Sequence, residues 1–154
     1  MKREVRLKIN GIEYAATVPD RMLLVQFIRD VAGLKGTHIG CDTGHCGACT
    51  VLLGDVAVKS CLMLAVQANG EEITTVEGLS HEGKLSKLQE SFRNNFALQC
   101  GYCTPGFLML IQSLALRHIK LSENELKEAL GGNICRCNNY PLIVRAAMEF
   151  LETQ

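Results

Sequence analysis

Eight cysteines in a chain of 154 residues, bunched into a few short stretches, constrain this sequence more than any other feature. "GCDTGHCGACTV" (40–51) carries three, "QCGYCTPG" (99–106) two and "NICRCNNYP" (133–141) two, while Cys61 stands alone. The start, "MKREVRLKING", lacks the apolar core of a signal peptide, so the chain is expected in the cytoplasm. In that reducing compartment tight thiol spacings point to metal ligation rather than disulfides. The 16 basic and 16 acidic side chains balance, which argues against nucleic acid as a partner. The longest apolar run, "GFLMLIQSLALRH", is broken by Gln112 and Ser113, so no membrane insertion is expected. Neutrality with 47% hydrophobic residues suits permanent burial against another subunit better than repeated encounters by a free carrier.

The apolar pattern divides the chain in two. Val5, Leu7 and Ile9 alternate, as do Ile12, Tyr14, Ala16 and Val18, and Asn10-Gly11 between them signals a hairpin. Pro19-Asp20 is expected to open a helix with Leu23, Leu24, Phe27, Ile28 and Val31 at helical spacing. "CTVLLGDVAVKS" reads as a second hairpin and "EEITTVEG" as a last strand. Beyond "GLSHEGKLS" the pattern turns helical: Leu85, Leu88, Phe92 and Phe96 form one stripe. Thr104-Pro105 reads as a cap and first turn, and Ser122–Glu125 as a capping box stopped at Gly131-Gly132. Asn139 or Tyr140 followed by Pro141 starts a last helix. The expected fold class is α+β, with a small mixed unit over residues 1–78 and four helices over 79–154.

Cys41, Cys46 and Cys49 follow C-x4-C-x2-C, with Cys61 eleven intervening residues later. That is the plant-type spacing for a 2Fe–2S cluster. Gly40, Gly44 and Gly47 would let the backbone turn tightly and aim N–H groups at the sulfurs. Cys100-x2-Cys103 and Cys135-x-Cys137 each precede a proline-started helix, whose positive end favours an anionic group. Structural zinc is also content with four thiolates and stays open as an alternative, more so for this second set. His38 and His45 are read as hydrogen-bonding or solvated loop residues, and Arg136 as a solvated or interface cation.

"GCDTGHCGACTV", Cys61 in "KSCLMLA", "QCGYCTPGF" and "GGNICRCNNYP" together resemble the small iron–sulfur subunit of the molybdenum hydroxylases, the family of xanthine dehydrogenase, aldehyde oxidoreductase and aerobic carbon monoxide dehydrogenase. The resemblance implies a ferredoxin-like β-grasp domain followed by a four-helix bundle, each holding a 2Fe–2S cluster. It implies that Cys100, Cys103, Cys135 and Cys137 ligate the molybdenum-proximal cluster, and Cys41, Cys46, Cys49 and Cys61 the flavin-proximal one. Gln99 and Cys137 match positions that approach the pterin. The implied partners are a large molybdopterin-binding subunit and a medium FAD-binding subunit in a dimer of heterotrimers. Electrons would pass from molybdenum through both clusters toward FAD, with no substrate chemistry on this chain. Asn138-Asn139 departs from the family's usual Thr-Gly after the last cysteine; Asn tolerates the left-handed conformation, and Asn139 is expected to cap the following helix. A free-standing two-cluster ferredoxin is the rival reading.

Overall fold

β1 (Lys2–Ile9) and β2 (Ile12–Pro19) pair antiparallel from Lys2↔Pro19 to Ile9↔Ile12. Asn10 and Gly11 between them both take positive φ, 52° and 81°, as a two-residue hairpin turn requires. This is seen in a computed structural model that describes residues 1–153. β3 (Thr50–Leu53) and β4 (Val56–Lys59) form the second hairpin, and β5 (Glu72–Thr74) lies between the two, parallel to β1 and antiparallel to β3. The mixed sheet therefore runs β2-β1-β5-β3-β4.

The helix across the sheet begins later than the sequence suggests. α1 (Leu24–Gln26) passes directly into a π-helical turn, Phe27–Val31. Met22 N–H closes a turn onto Pro19 O, while Leu24 N–H donates to Met63 O and Met22 O accepts from Ala65. Segment 63–65, which leads into a 3-10 turn at Ala65, thus claims the backbone groups that an earlier helical turn would have used. Leu24, Phe27 and Ile28 pack with Val5, Leu7, Ile9, Val51 and Ile73 in a core on one face of the sheet.

The second half contains α2 (Lys87–Asn94), α3 (Thr104–Leu116), α4 (Glu123–Leu130) and α5 (Tyr140–Leu151). α4 starts on the expected capping box: Ser122 Oγ accepts from Glu125 N–H, and Glu125 Oε2 accepts from Ser122 N–H at 2.8 Å. Ser86 and Gln89 cap α2 in the same way. The α2 stripe is shorter than expected. Leu88 and Phe92 are buried, but Phe96 sits past the helix end with φ +54° and is 77% exposed. Asn95 ends the helix, its amide donating to Ser91 O and to Glu149 on α5.

α3 is apolar nearly all round, which marks an element buried on more than one side. It packs on β3 and β4 as well as on α2, so Leu52 joins the helical core while its neighbour Val51 faces the other. β3 is covered on both faces, and the helices do not form a self-contained layer. Ser113 seals the junction, its hydroxyl donating to Asp55 O at 2.6 Å and accepting from Ala57 N–H at 3.1 Å.

Candidate iron–sulfur centres

The loop between Gly33 and Cys49 carries no regular structure, and its backbone wraps the first thiols. Cys41 Sγ accepts N–H bonds from Thr43 and Cys46, both at 3.4 Å. Gly44 and Gly47 take φ of +76° and +71° to make the wrap, while Gly40 is required for closeness: a Cβ there would lie 2.8 Å from Cys46 Sγ. β4 then leads into a short 3-10 turn, Ser60–Leu62, that returns Cys61 to Cys49; Ser60 donates to Cys49 O from both its hydroxyl and its N–H. Cys49 and Cys61 are buried, Cys41 and Cys46 partly exposed.

The electrostatics follow that division. The Thr43 side chain, then the N–H groups of Cys46 and Thr43, bring the Cys41 thiol down to about 6. Burial, reinforced by the Cys61 sulfur and the charge of Cys46, pushes Cys49 up to about 11. Cys49 and Cys61 face each other, and Cys41 faces Cys46.

The second set repeats the pattern on helix ends. Cys103 is the residue on which α3 starts, and Thr104, expected as the cap, is already inside the helix. Cys100 faces Cys137, and Cys103 faces Cys135. Burial, then the Cys135 sulfur, pushes Cys103 up to about 12, whereas the Tyr102 N–H and then the Cys137 side chain lower the exposed Cys100. Cys135 is buried, its Sγ accepts the Asn139 N–H at 3.4 Å, and its own N–H donates to the Tyr140 hydroxyl at 2.8 Å.

Asn138 takes the left-handed conformation, φ +56°, as its side chain allows. Asn139 heads α5 but makes no capping bond with its side chain, a correction to the sequence reading. Its amide is drawn instead to Phe96 O, and its Oδ1 accepts from Gln99 Nε2 at 3.4 Å. Gln99 is exposed beside Cys100, and Arg136 is exposed as expected. His38 stacks on Tyr102 with ring centroids 4.6 Å apart and its Nδ1 lies 2.8 Å from Tyr102 O; His45 Nδ1 meets Thr43 Oγ1.

Within each set the two facing pairs are linked, because Cys49 also feels Cys46 and Cys103 also feels Cys100. Among the described residues, no three His, Cys, Asp or Glu side chains converge on one point as a single ion would need. The two loops also touch: Ile134 N–H donates to Cys46 O at 2.9 Å, and Asn133 Nδ2 to Gly47 O at 3.3 Å. Sequence reasoning missed Lys59, Asn133 and the Tyr140 hydroxyl. The partners of Lys59 and Asn133 lie as far as 73 and 86 residues away, so no local spacing could reveal them.

Residues 7–79 match the family model described as a 2Fe-2S iron-sulfur cluster binding domain, and residues 75–148 that of a 2Fe-2S binding domain. The chain is 47% identical over 144 residues to the 6-hydroxypseudooxynicotine dehydrogenase complex subunit beta of Paenarthrobacter nicotinovorans, covering 93% of this chain and 90% of that one. It is 38% identical over 152 residues to the xanthine dehydrogenase iron-sulfur-binding subunit of Escherichia coli O157:H7, covering 97% and 95%. The solved structure of quinoline 2-oxidoreductase from Pseudomonas putida 86 superposes with a TM-score of 0.92 at 44% identity, over 97% of this chain and 93% of that chain. The two cluster-binding matches in tandem and full-length likeness to named iron–sulfur subunits make this chain a member of the small 2Fe–2S subunits of the molybdenum hydroxylases.

Proposed function

We propose that the chain relays electrons from a molybdenum site through two 2Fe–2S clusters toward FAD, with Cys100, Cys103, Cys135 and Cys137 holding the first cluster on the route and Cys41, Cys46, Cys49 and Cys61 the second. The observation that carries this is the gathering of the eight thiols into two groups of four neighbours, since a cluster of two irons takes four thiolates. Thr104 supports the fit, because its hydroxyl beside Cys103 is buried without any partner in the protein. Gly40 supports it at the other set, where any side chain would displace the Cys46 sulfur.

Each bound cluster would supply a centre that takes and gives one electron at a time. The chain's residues tune that exchange. N–H groups of Thr43, Cys46 and Asn139 donate to sulfur, and such donors favour the more negative reduced state. The α3 and α5 N-termini bring partial positive charge to the second set. Burial of Cys49, Cys61 and Cys135 keeps water from one side of each centre.

We place residues 1–78 in a ferredoxin-like β-grasp unit and 79–154 in a four-helix bundle, in a cytoplasmic complex arranged as a dimer of heterotrimers. Phe96, Leu98 and Tyr102 are exposed around Gln99 and Cys100, which supports coverage there by the large molybdopterin-binding subunit, with Gln99 and Cys137 toward the pterin. A medium FAD-binding subunit would cover the first thiol set near Leu62, 64% exposed. No helix among the described residues is long and apolar enough to cross a membrane. Gentle affinity capture from the native host tests the reading. Two larger subunits carrying molybdenum and flavin are expected; recovery of the chain alone, as a stable coloured monomer, would overturn it in favour of a free ferredoxin.

A further inference from the structure

Lys59 ends β4, two residues before Cys61, and its side chain does not run to solvent. Nζ donates to Gly44 O at 2.5 Å and to Gly132 O at 3.0 Å. Gly44 lies inside the Cys41–Cys46 loop, and Gly132 lies three residues before Cys135. The segment 132–134 is laid against the first loop by the Ile134 and Asn133 hydrogen bonds to Cys46 O and Gly47 O. Lys59 fastens one end of that contact. A Cβ on Gly47 would come within 2.6 Å of Gly132 O, so the two backbones are already in contact and the lysine closes a seam without slack.

Both acceptors are neutral carbonyls. Among the described residues, no carboxylate forms an ion pair with Lys59, whereas Arg3, Arg6, Lys8, Lys35 and Lys127 each have one. The ammonium is therefore an uncompensated positive charge, half-buried, at the seam between two thiolate sets. A cluster held by thiolates is anionic and gains a further negative charge on reduction. A fixed cation nearby must favour the reduced form, and most at the centre it touches more closely.

We propose that Lys59 is a positioning residue for electron transfer between the two clusters, holding their loops together and raising the potential of the Cys41/Cys46/Cys49/Cys61 cluster above what its own loop would set. This rests on the relay reading above. It makes the lysine a source of downhill drive toward the flavin side.

The test is an EPR-monitored reductive titration of the purified complex carrying Lys59→Met, Lys59→Gln or Lys59→Arg. Signals are assigned to the two clusters by their loss in Cys103→Ser. The two neutral variants are expected to disfavour reduction of the first-set cluster at least tenfold, which is about 59 mV for one electron, with a smaller shift at the other. Lys59→Arg is expected to stay within about threefold of the parent. Unchanged midpoints in Lys59→Gln, or an equal loss in Lys59→Arg, would overturn the proposal. Failure of both neutral variants to retain two clusters, where Lys59→Arg retains them, supports the fastening role; failure of all three counts against it. A parent complex with no iron–sulfur signal would instead sink the relay reading itself.

Discussion

Cys41 and Cys49 show how one loop sets opposite chemistry on two thiols eight residues apart. Hydrogen bonds onto the Cys41 sulfur favour its thiolate, and burial of Cys49 disfavours the charge. Cys41 is thus protonated only below about pH 6, whereas Cys49 keeps its proton until about pH 11. In the metal-stripped, reduced chain, alkylation at Cys41 is expected to rise through pH 6 and level off by neutrality, with Cys49 nearly inert there. Peptide-resolved mass spectrometry across pH checks this; matching profiles in the ordinary thiol range would refute it. The spacing singles these residues out, but their unequal environments are not legible in it. Thr43, whose side chain and N–H both lower Cys41, is an unremarkable loop residue until the backbone is folded.

Elements were legible where the signal is local. Asn10-Gly11 and Ser122–Glu125 each carry their own turn or cap chemistry, and both appear as expected. The start of α1 and the end of α2 were not, because distant groups decide them: Met63 and Ala65 at the first, Glu149 at the second. Thr104 lost its capping role to Cys103, and Asn139 gave its side chain to Phe96 and Gln99. The α4 cap is independent of such contacts. Ser122→Ala is expected to cost about 1 kcal/mol, read as faster amide exchange over α4 with both metal centres intact. Exchange unchanged there would remove the cap from the account of α4.

At the scale of the whole molecule, the two halves meet along the cysteine-bearing loops themselves. Gly106, in the first turn of α3, lies against Gly47 O so closely that no Cβ fits. Gly106→Ala must therefore push α3 from the first loop, and an overpacking cost of about 1–3 kcal/mol is expected. Calorimetry of the cluster-loaded chain should show this as a lowered melting temperature; an unchanged one would mean that the seam yields freely. The change of apolar pattern along the sequence gives no sign of this seam. Its contacts, Ser113 to Asp55, Lys59 to Gly132 and Asn133 to Gly47, join residues 58 to 86 positions apart.

Iron, acid-labile sulfide and zinc measured per chain in the anaerobically purified complex, with EPR after reduction, test the two thiol sets most directly. Two irons in each set require about four iron and four sulfide and two distinguishable signals, one of which disappears in Cys103→Ser. About two zinc without sulfide, and no signal on reduction, would contradict it.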